Sequence, residues 1–305
     1  MYKKNYENSK QVVMICKRLR RGILYRIAPL IKDDRKFLKM KWKLYMDYPL
    51  NLDNPQSYNE KLQWQKLYDR KPEYTKMVDK YDAKEYVASI IGEEHIIPTI
   101  AVYDRVEDID FDKLPNQFVL KCTHDSGGIV ICKDKGKLDR NAAFQKLKRG
   151  LKTKFYYQNR EWPYKNVKPR IIAEQYMVDE SGYELKDYKW FCFDGEPKAL
   201  FIASDRGSTT EETKFDFFDM EFRHLPFTNG HPNASKQIVR PTGFDKMKEL
   251  AGKLSKGLMQ ARIDFYDING KIYFGEITFF HWSGMKPFVP REWDYILGDY
   301  IDLPI

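Results

Sequence analysis

Long apolar runs are missing from this 305-residue chain. No stretch approaches the roughly 18 residues of a membrane-spanning helix, and the first ten residues lack the apolar centre of a secretory signal. A soluble, cytoplasmic globular protein is therefore expected. Cysteine is also scarce: Cys16, Cys122, Cys132 and Cys192 form no C-x-x-C pair and sit mostly in apolar, strand-like surroundings. That spacing argues against a zinc centre and for buried, reduced thiols. A Walker A loop is absent, as is any convincing Ser-His-Asp or Cys-His set. Neither the commonest phosphate-binding loop nor side-chain nucleophilic catalysis is expected. Repeats and low-complexity linkers are missing too, and the length allows a sizeable core.

The net charge of +9 resembles a nucleic-acid signature until its distribution is considered. Residues 1–45 carry 14 Lys or Arg against three acidic residues, a net of +11, leaving 39 basic and 41 acidic residues, or −2, elsewhere. The body is nearly neutral, and with no nucleic-acid motif beside the charge, nucleic acid is not an expected partner. Val12, Ile15, Leu19, Ile23 and Ile27 fall on one side of a helix, with Lys10, Lys17, Arg18 and Arg21 on the other, until Pro29 interrupts it. Such a basic amphipathic helix either packs on the body of the fold, the weightier expectation, or lies on an anionic membrane through residues 9–28. The second use would place the protein at the inner face of the membrane.

Ser57 and Glu60 form a capping box for a helix within 55–68, and Gly92 closes a helix opening at Asp79. Strands are expected at 98–103, 118–122, 129–132, 170–177, 187–193 and 198–203, with a strand pair over 215–222. Turns fall at Ser181-Gly182 and Asp194-Gly195. Helices are expected within 140–154 and over 244–258. Helices interleaved with mostly antiparallel strands indicate an α+β fold.

Chemistry concentrates in residues 262–278. Arg262 and Asp264 share one strand face, and Asn269-Gly270 is a strong hairpin signal that returns Glu276 close to Asp264. Two hard oxygen ligands would then face one pocket, as Mg²⁺ held between protein and phosphates requires. A second candidate is the loop Thr123 to Gly128, entered from Lys121. Its backbone N–H groups can cradle an anion while Lys121 adds a point charge. His124 is a candidate contact to substrate or phosphate, and Asp205 with Arg206 could hold a carboxylate substrate or form a turn salt bridge.

The order of these elements is more specific than any one of them. Asp79-Lys80, strand-Lys121-loop-strand, Ile171 to Met177, Asp187-Tyr-Lys-Trp-Phe191 and Arg262-x-Asp264 with Glu276-x-Thr278 together resemble the ATP-grasp superfamily. The branch most resembled is TupA-like, associated with bacterial surface-polysaccharide and teichuronopeptide biosynthesis. Asn59 to Trp64, Phe118 to His124, Arg170 to Glu174 and Tyr273 to Thr278 look like its recurring segments, and the likeness covers roughly residues 50–300.

The resemblance implies two antiparallel-sheet subdomains clamping ATP. Residues 1–48 would form the basic helical segment, 49–115 a helical substrate-side region and 116–305 the ATP-grasp domain, with a lid over 116–172 and a catalytic sheet over 173–305. By the same resemblance Lys80 and Lys121 meet the phosphates, which the loop with Ser126, Gly127 and Gly128 covers. Glu174, Gln175, Tyr176 and Met177 flank the adenine, Asp187 reaches the ribose and Arg223 matches another phosphate contact. Asp264 and Glu276 match the metal carboxylates; Thr278 stands where relatives usually carry Asn, a better ligand, which leaves the number of metals open. Arg262 matches a residue that stabilises the reacting intermediate, and Ser283 lies in a loop on the substrate side in relatives.

The implied chemistry is ATP- and Mg²⁺-dependent ligation of a carboxylate to an amine through an acyl phosphate, with Arg262 and Lys121 as catalytic groups. The acid would be a sugar acid or glycan carboxylate of capsule or surface-polysaccharide biosynthesis, the co-substrate an amine. A glycosyltransferase of the same pathway and a non-catalytic nucleotide-binding protein are the alternatives. The first lacks a well-placed Asp-x-Asp motif, since Asp108-Ile-Asp110 reads as a polar loop; the second is left open by Thr278.

Overall fold

A computed structural model describes the backbone of residues 2–179, 185–205 and 211–304, and side chains from residue 15 onward. The expected Ser181-Gly182 turn and Arg206 lie outside these residues. Two helices open the chain, α1 (Tyr2–Ile27) and α2 (Asp34–Tyr45). Contrary to the expected packing of the apolar stripe, Ile15, Leu19 and Ile23 are exposed, while Leu24 and Ala28 pack with Phe37, Leu38 and Trp42. Cys16 shares that outward exposure, whereas Cys122, Cys132 and Cys192 are buried and free.

The third helix, α3 (Tyr58–Tyr68), starts where the capping pattern places it. Ser57 accepts from the Glu60 N–H, and the Glu60 carboxylate accepts from the N–H groups of Asn51, Gln56 and Ser57. The helix expected over 79–91 is α5 (Asp82–Ile91), closed by Gly92 as expected but starting three residues later, and a short helix not expected, α4 (Tyr74–Val78), precedes it across a break at Asp79. Asp79 is the reason: its carboxylate accepts from Tyr81 and Asp82 N–H groups and from Arg170, while Lys80 N–H donates to the Thr123 carbonyl. The break docks Lys80 against the loop after Lys121.

Strands β1 (Thr99–Tyr103), β2 (Phe118–Cys122) and β3 (Ile129–Cys132) precede α6 (Arg140–Leu151) and α7 (Phe155–Asn159), and β4 (Ile171–Gln175) completes a four-stranded sheet in the order β1-β4-β2-β3. In this sheet β1 lies before residue 116, and β4 runs across the 172/173 position to pair with both β1 and β2. Its core joins Phe118, Leu120 and Ala173 to Leu147 of α6.

The second sheet comprises β5 (Asp187–Phe193), β6 (Glu196–Ser204), β7 (Lys214–Phe218) and β8 (His224–Leu225), followed after α8 (Phe244–Ser255) by β9 (Ala261–Ile268) and β10 (Lys271–Thr278). Its order is β10-β9-β5-β6-β7-β8, antiparallel throughout, and α9 (Glu292–Gly298) lies near the C-terminus. Phe244, Met247, Leu250 and Leu254 of α8 join Trp190 and Ile263 in the larger core. That core holds rigid the sheet whose opposite face carries the charged groups. No helix among the described residues is long and apolar enough to cross a membrane.

The Ser57 cap fixes the start of a helix that packs into this core. Replacing Ser57 by Ala should lower unfolding free energy by about 1 kcal/mol in urea denaturation, the usual effect of losing an N-cap.

Candidate active site

Strand parity and one bulge assemble the charged face. In β9–β10, Phe274 pairs with Phe265 but Glu276 pairs with Asp264, because Gly275 is bulged out of register. Without the bulge Gly275 would oppose Asp264, and Glu276 would point to the other face. Glycine suits the position: a Cβ there would stand 3.1 Å from the Asp264 carbonyl oxygen. Thr278 then opposes Arg262, and β5 sets Lys189 opposite Asp264.

Arg262 ties the group together. Its Nε and Nη2 donate to Asp264 at 2.7 and 2.8 Å, and Nη2 also donates to Glu276 at 2.9 Å and to Thr278 Oγ1 at 3.0 Å. Nη1 donates to His281 Nδ1 at 2.9 Å. Asn229 Nδ2 donates to the carbonyls of Lys286 and Pro287, which turns its Oδ1 toward His281 Nε2 at 2.9 Å. His281 is therefore neutral, with its proton on Nε2. Burial, reinforced by Arg262 and Lys189, pushes its pKa well below the usual range. Lys189 completes the cluster, bonded to Asp264 and 3.5 Å from Asp187.

Electrostatics follow from this crowding. Burial alone would raise the Glu276 carboxyl, but Arg262, Lys189 and Lys80 overcome it and hold the pKa at about 2. On the other sheet, burial acts to raise Glu174 while Lys121 and Lys84, at 2.7 and 2.5 Å, bring its pKa below the ordinary carboxyl value.

Between the sheets lies a cavity of about 1040 Å³. Lys80, Lys121 and Ser126 line it from one side, Asp187, Lys189, Asp264 and Glu276 from the other, and Glu174, Gln175, Tyr176 and Met177 along the connection between them. Asp205 also reaches it. Ile131, Leu185 and Phe274 supply apolar wall. Lys80 Nζ donates to the Asp125 carbonyl, and the Asp125 carboxylate accepts from Gly128 N–H, so the loop closes on itself with Ser126 toward the cavity.

Several expected residues are placed elsewhere. Arg223 sits on the exposed β7–β8 turn, held by Asp219 and Glu221, and is not a cavity residue. His124 is buried, with Nε2 3.1 Å from the Thr153 carbonyl oxygen, rather than facing the cavity. Gly128 is packed against Cys122, where a Cβ would meet the sulfur at 2.6 Å, and Gly127 stands in open space. Ser283 belongs to a left-handed turn, with Trp282, Ser283 and Gly284 at φ of 46, 58 and 58°. The buried Lys66 holds that turn, donating to the Ser283 carbonyl and hydroxyl at 2.7 Å, while Gln63 donates to the Ser283 and Gly284 carbonyls. Burial lowers the Lys66 pKa to about 7 despite the nearby Glu161 carboxylate. Ser283 thus belongs to the turn that follows His281 and does not line the cavity.

Lys189, Lys84 and His281 were missed in the sequence reading. Lys189 had a usable signal: it is two residues from Asp187, hence on the same face, and is the only cation in a strand that is otherwise apolar beyond Asp187. His281 had none, since its meeting with Arg262 depends on the turn that Lys66 holds.

The profile of the TupA-like ATP-grasp family matches residues 60–302, most of the chain. The chain belongs to this family, and its two facing antiparallel sheets form an ATP-grasp fold. Similar solved structures include D-alanine–D-alanine ligase from Bacillus anthracis, 16% identical over 66% of this chain and 56% of that one, TM-score 0.37. The ATP-grasp ligase PsnB with its minimal precursor, Mg and ADP is 10% identical over 72% and 57%, TM-score 0.40. N5-carboxyaminoimidazole synthase from Aspergillus clavatus is 13% identical over 68% and 46%, TM-score 0.39. This chain therefore spans about half the length of these proteins. No curated protein matches it.

Glu276 provides a pH test of the cluster. Its folded-state pKa of about 2 lies below the ordinary 4.5, so the ionised carboxylate stabilises the fold above about pH 4.5 and loses that contribution as pH falls toward 2. In urea unfolding, the stability difference between the native chain and Glu276→Gln should be greatest near neutral pH and shrink steadily below pH 4.5.

Proposed function

We propose that this protein is an ATP-dependent carboxylate–amine ligase working through an acyl phosphate, on a sugar acid or glycan carboxylate of bacterial capsule or surface-polysaccharide biosynthesis. The supporting observation is the opposition, across one cavity, of Lys80 and Lys121 to Asp264, Glu276 and Lys189. Cations on one wall suit phosphate oxygens, and carboxylates on the other suit a cation shared with those phosphates. The saccharide part of the reading rests on resemblance to the family branch.

The donor set fits Mg²⁺. Asp264, Glu276 and the Thr278 hydroxyl are hard oxygen donors drawn to one positive group, now Arg262. Among the described residues no group of three or more His, Cys, Asp or Glu could enclose a metal ion, so phosphate oxygens and water would complete the shell, as is usual for Mg²⁺. When bound, the ion supplies charge neutralisation at the phosphates.

The chain's own residues would orient and stabilise. Adenine fits beside Glu174 to Met177 and the ribose near Asp187, which leaves the triphosphate directed to Lys80, Lys121 and Ser126. The acid's oxygen attacks the γ-phosphorus, the bond to the ADP oxygen breaks, and the amine then attacks the acyl carbon, expelling phosphate and losing a proton. Arg262 and Lys189 stabilise negative charge in both steps, and His281, unable to take a proton at neutral pH, keeps Arg262 aimed. No side-chain nucleophile takes part.

Thermal unfolding with MgATP tests the nucleotide site. At a hundredfold excess over Kd, binding should stabilise the native chain by about 2.7 kcal/mol, or several degrees, and Lys121→Ala and Glu276→Ala should lose the shift. An absent shift in the native chain contradicts the reading. In turnover assays ADP and phosphate should appear only with both acid and amine present, and Lys121→Ala should slow release about a hundredfold. Release of a nucleoside diphosphate from a sugar donor would indicate the glycosyltransferase instead, and no release from any mixture a binding protein.

A further inference from the structure

Helix α1 is fastened to the body by one side only. Leu24 and Ala28 enter the core formed with Phe37, Leu38 and Trp42. Arg21 Nη2 donates to the Leu44 carbonyl at 2.7 Å, and its guanidinium lies 4.0 Å from the Tyr45 ring centroid. On the opposite side Ile15, Leu19 and Ile23 are spaced by one helical turn each, so they form a continuous apolar ridge. Their exposures are 57%, 63% and 58%. Nothing among the described residues covers them, although each is a residue type that normally seeks the interior.

Charge decides what does. Between residues 8 and 32 the chain has seven Lys or Arg and no Asp or Glu. Lys17, Arg18, Arg20 and Arg26 are all exposed. By helical geometry Arg18 and Arg20 flank the ridge on its two sides, and Arg26 lies almost in line with Ile15 and Leu19. A second copy of the chain packed along this ridge would bring like charges together around it, and Gly22 and Arg26 would interrupt the seam of a helix pair. An anionic bilayer presents no such conflict: the aliphatic ridge enters the acyl boundary while the flanking cations meet phosphate headgroups.

We propose that α1 docks the protein on an anionic lipid surface through Ile15, Leu19 and Ile23, with Arg18, Arg20 and Arg26 held at the headgroups. The face that holds Leu24 stays on the protein, so the site-bearing domain is carried at the membrane. This surface is separate from the nucleotide cavity and does not depend on what that cavity does.

Sedimentation of the full chain with phosphatidylglycerol-containing and pure phosphatidylcholine vesicles tests the assignment. The native chain should bind the anionic vesicles, and binding should fall as added salt shortens the screening length. Leu19→Glu should reduce binding at least about tenfold, and Arg18→Gln with Arg20→Gln should do likewise, because both the apolar and the ionic parts are needed. Since these side chains face outward, all variants should keep the native unfolding temperature, which separates a docking defect from a folding one. Equal sedimentation with neutral and anionic vesicles would overturn the proposal, as would undiminished binding by Leu19→Glu. A concentration-dependent dimer that Leu19→Glu abolishes, without vesicle binding, would overturn it in favour of self-association.

Discussion

A buried guanidinium must find partners for its fixed fork of donors, and Arg262 finds them on β9, on β10 and on the turn that follows. Asp264 lies on its own strand, Glu276 and Thr278 on the returning strand, and His281 on the turn that follows. Removing Arg262 would take the ion pair from Glu276 and leave Asp264 with Lys189 as its cationic partner, setting two neighbouring carboxylates against each other. The cluster's near balance, with Arg262 and Lys189 set against Asp187, Asp264 and Glu276, is what lets so many ionised groups share one cavity wall. It leaves an excess of negative charge, suited to a divalent cation delivered with its phosphates.

The opposite wall is built by different means. Glu174 bridges Lys84 and Lys121 from the adjoining strand, while Arg170 and Asp79 hold open the helix break that presents Lys80. The two lysines therefore come from distant parts of the chain but are located by one sheet, through β4 and its neighbour β2. Each wall carries its own local charge compensation. A nucleotide entering between them would exchange these internal partners for phosphate oxygens on one side and for a shared metal ion on the other.

Much of this was legible in the sequence because local rules governed it. The Ser57–Glu60 box, the Asn269-Gly270 hairpin and the pairing of Arg262 with Asp264 on one face depend on neighbouring residues, and the strand boundaries followed alternation and turn chemistry. The bulge at Gly275 could not be read from alternation, although the expected meeting of Glu276 with Asp264 depends on it. The helix start at Asp79 was legible, but α4 before it and the hold of Arg170 on Asp79 were not, because that contact joins residues far apart in sequence. His124 was a candidate for its place in the Thr123 to Gly128 loop and Arg223 by family resemblance, and packing sets one against the Thr153 carbonyl and the other on an exposed turn. The amphipathic pattern of α1 was correctly seen as a stripe, but periodicity does not state which face a helix turns inward.

In the proposed function the Asp264–Glu276 hairpin and the Lys80–Lys121 wall form one nucleotide–metal site. Anomalous diffraction from crystals grown with Mn²⁺ and a non-hydrolysable ATP analogue addresses it directly. The predicted result is a Mn²⁺ peak at the Asp264 and Glu276 carboxylates, with the analogue's phosphates reaching Lys80 and Lys121 across the cavity. Nucleotide bound elsewhere, or Mn²⁺ absent from those carboxylates while the nucleotide fills the cavity, would contradict it.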